Sequence, residues 1–413
     1  IALDGISDGT SCSPTPCGYE NPGWTVNWIG LDETDIDGNV YTYSFLESDI
    51  SDEDYAATYP DANTVVNTYT PKTLRVVAIK EWFGGNVGEI TFQLNRRVVG
   101  STTVETIDLQ TVTAADLWTF IWPDDSIGIT LPVKNQDGID YEYWVEEGHM
   151  DSGTFVRGVP GYLLDESSGC IEFGEDPDRT VQCVFKNIKK VNVSTEKIWA
   201  GGSDPRPTVY HALYQQIGSG TPQAMDGYIA ILDGVVQDQN DCAATPTQAC
   251  ELTAWKGTWA DLPSYTIDNE PIVYTTVEVI PATPPSTGYV PGTPDGYQLG
   301  PVICTDLQNG DRECKITNIK LTDITAYKVW SGGPTPRPTV WFKLYRQISG
   351  GTLEEVPVAE APIKELADGT TSVTWNNLSE TDDDGNPYTF SVKEVDADGN
   401  DFVPENYEKT EDG

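Results

Sequence analysis

The sequence predicts an all-β chain built as a tandem array of sandwich domains. Three observations carry that reading. Apolar and aromatic residues alternate over short runs bounded by Gly, Pro, Asn and Asp; helical periodicity is hard to find; and one series of motifs recurs along the chain. The 20 Tyr, 12 Trp, 38 Gly and 28 Pro, against two Met and two His, suit many short strands joined by turns. At 413 residues there is room for roughly three or four domains of about 100 to 150 residues.

Each repeat opens on a strand with a lysine two residues before a tryptophan: Lys80/Trp82, Lys197/Trp199 and Lys328/Trp330. Lys80 is in phase with Leu74, Val76 and Ala78, Lys197 with Val193, and Lys328 with Ile324 and Ala326, so each amine points to the apolar side of its strand. Lysines on a buried face are rare, and three in one setting ask for a common cause.

A Gly turn and a second strand follow, as in Pro205-Arg206-Pro207-Thr208-Val209 through Leu213-Tyr214 and Pro336-Arg337-Pro338-Thr339-Val340 through Leu344-Tyr345, with Phe92-Gln93-Leu94 a looser copy. Next comes a tryptophan strand with W-x-x-x-W spacing, at Trp24/Trp28, Trp118/Trp122 and Trp255/Trp259, with Trp375 in the last copy.

An acidic Gly turn then leads into a strand whose inward face ends in glutamate. The copies are Tyr41/Tyr43/Phe45/Glu47, Tyr141/Tyr143/Val145/Glu147, Ile272/Tyr274/Thr276/Glu278 and Tyr388/Phe390/Val392/Glu394. Glu146 competes with Glu147, but alternation places it on the opposite face. The closing strand carries Asn67, Asn187 or Asn318, each on the face of the apolar residue two before it. Asn187 to Lys197 and Asn318 to Lys328 span 10 residues each, so one repeat is expected to run almost directly into the next.

The Lys-Val-Trp opening, the Arg-Pro-Thr-Val…Leu-Tyr strand, the Asp-Gly-Asn turn before Tyr388 to Val395 and the closing Ile316-Thr317-Asn318 together resemble the collagen-adhesin B-type (Cna-B) domains of Gram-positive surface proteins and pilins. The resemblance covers essentially the whole chain and implies immunoglobulin-like β-sandwiches. These are the C-terminal part of a repeat over 1–71, complete repeats over 72–189 and 190–319, and the N-terminal part of another over 320–413. It also implies a spontaneous isopeptide bond between the first-strand lysine and the last-strand asparagine, assisted by the glutamate. The expected sets are Lys80, Glu147, Asn187 and Lys197, Glu278, Asn318. Asn67 with Glu47 would need a lysine before residue 1, and Lys328 with Glu394 an asparagine after 413. The competing reading is an ordinary, partly buried ion pair with the asparagine in a hydrogen bond.

Lys+Arg 24 against Asp+Glu 65 gives 24 − 65 = −41, which argues against nucleic acid or an anionic membrane as partner. No apolar run approaches the roughly 18 residues of a membrane span. The eight cysteines fall into local pairs, Cys12/Cys17, Cys170/Cys183, Cys242/Cys250 and Cys304/Cys314, which suit disulfides in an oxidising, extracellular setting better than metal knuckles. With no signal peptide and Ile1 at its start, the chain is expected to be a window of a longer secreted protein.

The acidic turns at 32–39 and 382–386 read as hairpin turns in preference to calcium loops, and no cofactor is implied. His149 and His211 are solitary, and no phosphate loop or nucleophile motif accompanies them. Adjacent Glu146 and Glu147 face opposite ways and cannot flank one glycosidic bond. The expectation is a stalk or fibre segment of a bacterial surface adhesin or pilus whose only chemistry is used once per domain. The expected partners are neighbouring repeats, with fibre self-assembly a further option. The alternative is a ligand-binding module for a host or matrix protein, for which an exposed aromatic patch near 281–294 would speak.

Overall fold

The computed structural model describes residues 24–47, 55–69, 72–123, 128–175, 179–236, 248–283 and 288–411, with backbone alone over 248–252. The chain divides into two units. The first comprises residues 1–74, 130–141 and 175–179, and the second 75–129, 142–174 and 180–413.

In the first unit an antiparallel hairpin joins Tyr55–Asp61 to Thr64–Tyr69. Asp35 folds the acidic turn around its own carboxylate, which accepts the backbone N–H groups of Asp37 (2.9 Å) and Asn39 (2.8 Å). Two expectations fail here. Residues 41–47 form no strand, and none of the described residues between 24 and 69 is buried. Without a buried face, alternation has nothing to hold it in register.

The second unit is β-structure throughout, its described helical content being one 3-10 turn at Ala114–Asp116. In the second repeat one layer pairs Thr119–Trp122 with the lysine strand Arg75–Phe83, then with Thr180–Ala200 and Gly169–Phe173. The other layer runs Glu105–Thr113, Glu89–Val98, Tyr141–Asp151 and Thr154–Arg157. Between them lie Val76, Ala78, Phe92, Leu94, Trp122 and Val145, all buried. The third repeat packs Val193, Val209, Leu213, Leu232, Trp259 and Tyr274 in the same way, and the fourth Ala326, Val340, Phe342, Leu344 and Trp375. Trp259→Ala is expected to cost about 3–5 kcal/mol, read as a lower denaturant midpoint for the third repeat.

Two strands serve two repeats each. Thr180–Ala200 carries both Asn187 and Lys197 without a break, and Arg312–Tyr327 carries Asn318 and ends one residue before Lys328. Closing and opening strands are therefore one extended segment with no linker between them.

Pairing of the closing strand with the lysine strand is parallel in both complete repeats. Parallel neighbours need a long crossover, and here the crossover is the rest of the sandwich. Cross-strand disulfides Cys170–Cys183 and Cys304–Cys314 tie the preceding strand to the closing one, each four residues before the asparagine. Cys12, Cys17, Cys242 and the side chain of Cys250 lie outside the described residues.

Candidate functional site

The parallel register brings lysine and asparagine together. Lys80 lies opposite Phe185 and Trp82 opposite Asn187, while Lys197 lies opposite Ile316 and Trp199 opposite Asn318. The asparagine sits two residues beyond the lysine's partner in both cases, hence on the same face. The glutamate comes from the other layer. Lys80 Nζ is 3.2 Å from Glu147 Oε2, and Asn187 Nδ2 donates to Glu147 Oε1. In the third repeat Glu278 Oε1 takes both donors, Lys197 Nζ at 3.0 Å and Asn318 Nδ2 at 2.8 Å.

Burial is close to complete. Lys80, Glu147 and Asn187 are 4%, 6% and 2% exposed, and Lys197, Glu278 and Asn318 are 3%, 4% and 0%. Desolvation lowers each ammonium to about 8, against the opposing pull of its glutamate, and raises both carboxyl groups above the usual carboxylate range. The two protonation states of each pair are thereby drawn together. Both asparagine Oδ1 atoms are buried without a hydrogen-bond donor. Glu146, the competing residue, faces outward to Arg157 at 2.8 Å.

An aromatic roof covers each lysine. Trp82, Trp199 and Trp330 stand 4.5, 5.4 and 4.4 Å from Nζ of their lysines. Trp82 is boxed by Trp118 and Tyr162, Trp199 by Trp255 and Tyr297, and Trp330 packs on Tyr407. Arg206 and Arg337 of the Arg-Pro-Thr-Val motif stack on Trp199 and Trp330. The first tryptophan of W-x-x-x-W corrects the sequence reading, because it lies in a turn and not in a strand. Trp118 and Trp255 have φ of 56° and 65°, a conformation uncommon outside glycine. Their carbonyls accept the N–H of Lys80 (2.9 Å) and Lys197 (2.7 Å), so the turn fixes the lysine backbone while the indole packs on the roof.

The partial repeats differ. Lys328 is ion-paired with Glu394, which is 5% exposed. Asn67 Nδ2 donates to Glu47 Oε1 at 3.0 Å, but Asn67 is exposed, contrary to the inward placement expected from alternation. A cavity of about 220 Å³ lies against Val145, Glu147, Tyr162, Phe185 and Asn187. The Pro-rich insertion pairs Tyr289–Pro291 with the glutamate strand and sets the Tyr289 ring at a tilt against Tyr210, while residues 284–287 lie outside the described set. Among the described residues no group of three or more His, Cys, Asp or Glu side chains is arranged to hold a metal.

The model of the Cna protein B-type domain matches residues 5–68 and 324–412. The chain carries Cna-B domains at two places. The first includes Glu47 and Asn67, the second Lys328 and Glu394, and the residues between them hold the two complete lysine, glutamate and asparagine sets. A collagen adhesin of Staphylococcus aureus is 48% identical over 94 residues, which are 23% of this chain and 8% of the adhesin. The chain thus spans under a tenth of the length of that relative.

Among solved structures, the pilus adhesin SpaC of Lactobacillus rhamnosus GG in its open conformation aligns at 13% identity and a TM-score of 0.26, covering 85% of this chain and 40% of that one. The full-length major pilin SpaD of Corynebacterium diphtheriae aligns at 13% and 0.21, covering 79% and 87%.

His211 is the residue whose surroundings the sequence reading did not anticipate. It is fully buried in the third repeat, hydrogen-bonded through Nδ1 to Thr195 Oγ1 at 2.7 Å, and it lies opposite Glu278 in the strand register. The available signal was positional, since His211 stands where the other repeats place Phe92 and Phe342. The His149 ring Nδ1 lies 2.9 Å from the carbonyl of Gly158.

Proposed function

We propose that the chain is a structural stalk segment of a bacterial cell-surface adhesin or pilus, divided as 1–71, 72–189, 190–319 and 320–413. Lys80–Asn187 and Lys197–Asn318 isopeptide bonds and the local disulfides rigidify it. The observation that carries the reading is the common two-residue offset of lysine and asparagine on parallel first and last strands, with a buried glutamate against both. Neighbouring repeats of the same longer chain are its partners, and its setting is extracellular.

The chemistry follows from desolvation. Passing the ammonium proton to the glutamate leaves a neutral amine and a neutral acid, both cheaper to keep in an apolar core than two ions. Nζ then attacks Cγ of the asparagine, and the carboxylic acid donates its proton to the amide oxygen, the atom that lacks a donor. The attack forms the Nζ–Cγ bond; collapse of the adduct restores the carbonyl, breaks the Cγ–Nδ2 bond and releases ammonia, with the carboxyl group moving the protons. The tryptophan roof keeps water from competing, and in the second repeat the adjoining cavity gives ammonia a way out.

Intact-mass measurement tests the reading. Each bond removes one ammonia, roughly 17 Da, and each disulfide two hydrogens, roughly 2 Da, so reduction separates the two. A reduced chain at its unaltered sequence mass would leave the sandwiches but remove the locks. In chain refolded from the unjoined state, bond formation is expected to rise through the raised carboxyl range, as each pair loses the first of its two protons, and to fall above about 8, where it loses the second and no acid remains to protonate the amide. Mass time courses across a pH series check this; a flat profile would exclude proton transfer within the pair.

A further inference from the structure

The third repeat differs from its neighbours by a matched set of polar replacements beside its lysine. Where the second and fourth repeats place Ala78 and Ala326, Phe92 and Phe342, and Val145 and Val392, the third places Thr195, His211 and Thr276. Each is on a different strand and all three are at most 2% exposed. They form one hydrogen-bonded chain. Thr195 Oγ1 meets His211 Nδ1 at 2.7 Å and donates to Thr276 Oγ1 at 3.2 Å. With the threonine proton committed to Thr276, the histidine Nδ1 is the donor and its Nε2 is left as an unprotonated acceptor.

Two deficits adjoin Glu278, which lies opposite His211 in the strand register and accepts from Lys197 Nζ at 3.0 Å. Among the described residues His211 Nε2 is buried and has no hydrogen-bond partner, and burial, with the Lys197 ammonium adding to it, holds the ring's pKa down to about 3. Among the described residues Lys197 Nζ has one hydrogen-bond acceptor, Glu278 Oε1, whereas Lys80 Nζ also has the carbonyls of Phe185 (3.0 Å) and Glu81 (3.1 Å). An unfilled acceptor and an underused donor, both desolvated, are costly apart and suited to each other.

We propose that His211 is a positioning residue for the Lys197–Asn318 reaction, its Nε2 accepting an N–H of the neutral Lys197 amine so that the amine lone pair is turned toward Cγ of Asn318. This rests on the isopeptide reading above. The covalent step is unchanged: Nζ bonds Cγ, Nδ2 leaves as ammonia, Glu278 carries the protons, and His211 holds one N–H without taking it. Thr195 and Thr276 fix the tautomer that leaves Nε2 free.

The test uses the full chain, prepared denatured and unjoined, refolded with its cysteines oxidised and sampled over time by peptide mass analysis of both sites. His211→Phe is expected to slow the Lys197–Asn318 bond roughly tenfold, the worth of one buried hydrogen bond realised in the transition state, and to leave Lys80–Asn187 unchanged. His211→Gln, whose amide oxygen can take the place of Nε2, is expected to recover most of the rate. The packing-matched variant with Thr195→Ala, His211→Phe and Thr276→Val, which copies the apolar residues of the other repeats, is expected to fold normally and stay slow. A wild-type rate in that variant, or a Gln variant as slow as Phe, overturns the assignment. Absence of ammonia loss at both sites in the unaltered chain overturns the isopeptide reading itself, and this one with it.

Discussion

Glu147→Ala is expected to leave the Lys80 amine and the Asn187 amide unjoined while the Lys197–Asn318 bond still forms. The glutamate is the group to which both reactants of the second repeat are hydrogen-bonded or ion-paired, and the third repeat has its own, Glu278. Beyond the substitution itself, the variant should be heavier by one retained ammonia, roughly 17 Da, located to that repeat by peptide mapping. Stability falls for two separable reasons. The lost cross-link had closed 187 − 80 = 107 residues, a denatured-state effect on the order of 4 to 5 kcal/mol if it behaves like a disulfide of that span. Lys80 also keeps its burial but loses its counter-charge, which costs up to about 3–5 kcal/mol and is relieved as the amine deprotonates. Sign follows from the depressed lysine pKa. Without Glu147 to raise it, the folded lysine pKa drops below the value of about 8 in the unaltered repeat; the unfolded state binds the extra proton, so the uncrosslinked repeat gains stability as pH rises from that lowered value toward the unfolded value of 10.5. Joined Lys80 in the variant would remove Glu147 from the chemistry, and loss of both bonds would contradict independent reaction in each repeat.

The lysines, glutamates and asparagines of the complete repeats were legible because each lies on a strand with a strict period of two, where one polar residue among apolar neighbours reveals its face. Glu147 was separable from Glu146 on that ground alone. Recurrence supplied what a single copy could not, since one inward lysine could be a snorkelling strand end. The shared offset of lysine and asparagine was not legible, because register between strands more than a hundred residues apart is set by packing and by the closing hairpins. In the first unit the same pattern misled. Tyr41 to Glu47 alternates like its counterparts, yet no described residue between 24 and 69 is buried, and alternation without a core does not make a strand.

Two further features needed the backbone and the neighbours. W-x-x-x-W spacing gave no sign that its first tryptophan adopts a left-handed conformation, which an indole side chain rarely does; the reason is the carbonyl it offers the lysine N–H. His211 looked incidental because it has no second histidine or carboxylate near it in sequence. Its meaning lies across strands, in Thr195 and Thr276, and the substitution of three apolar positions at once is visible only when the repeats are aligned on their strand register.

Under tension the unaltered chain is expected to release almost no length from its second and third repeats, whereas Lys80→Ala releases the second in one step. Force entering along Arg75–Phe83 crosses the bond to Asn187, follows the same strand to Lys197, crosses to Asn318 and continues toward Tyr327. The sandwich around each bond lies outside that path. Only the 197 − 187 = 10 residues between the bonds are open backbone, and they are already an extended strand with little slack. Without Lys80 the path runs through all 107 residues from 80 to 187, less the 13 that Cys170–Cys183 keeps closed, so 94 residues extend by about 310 to 340 Å. Reducing that disulfide should add roughly 45 Å more. Single-molecule pulling reads both steps, and the disulfide increment identifies the repeat that opened. Full-length release from the unaltered chain at the same force as from the Lys80→Ala chain would mean that Lys80 and Asn187 are held by their ion pair and packing alone.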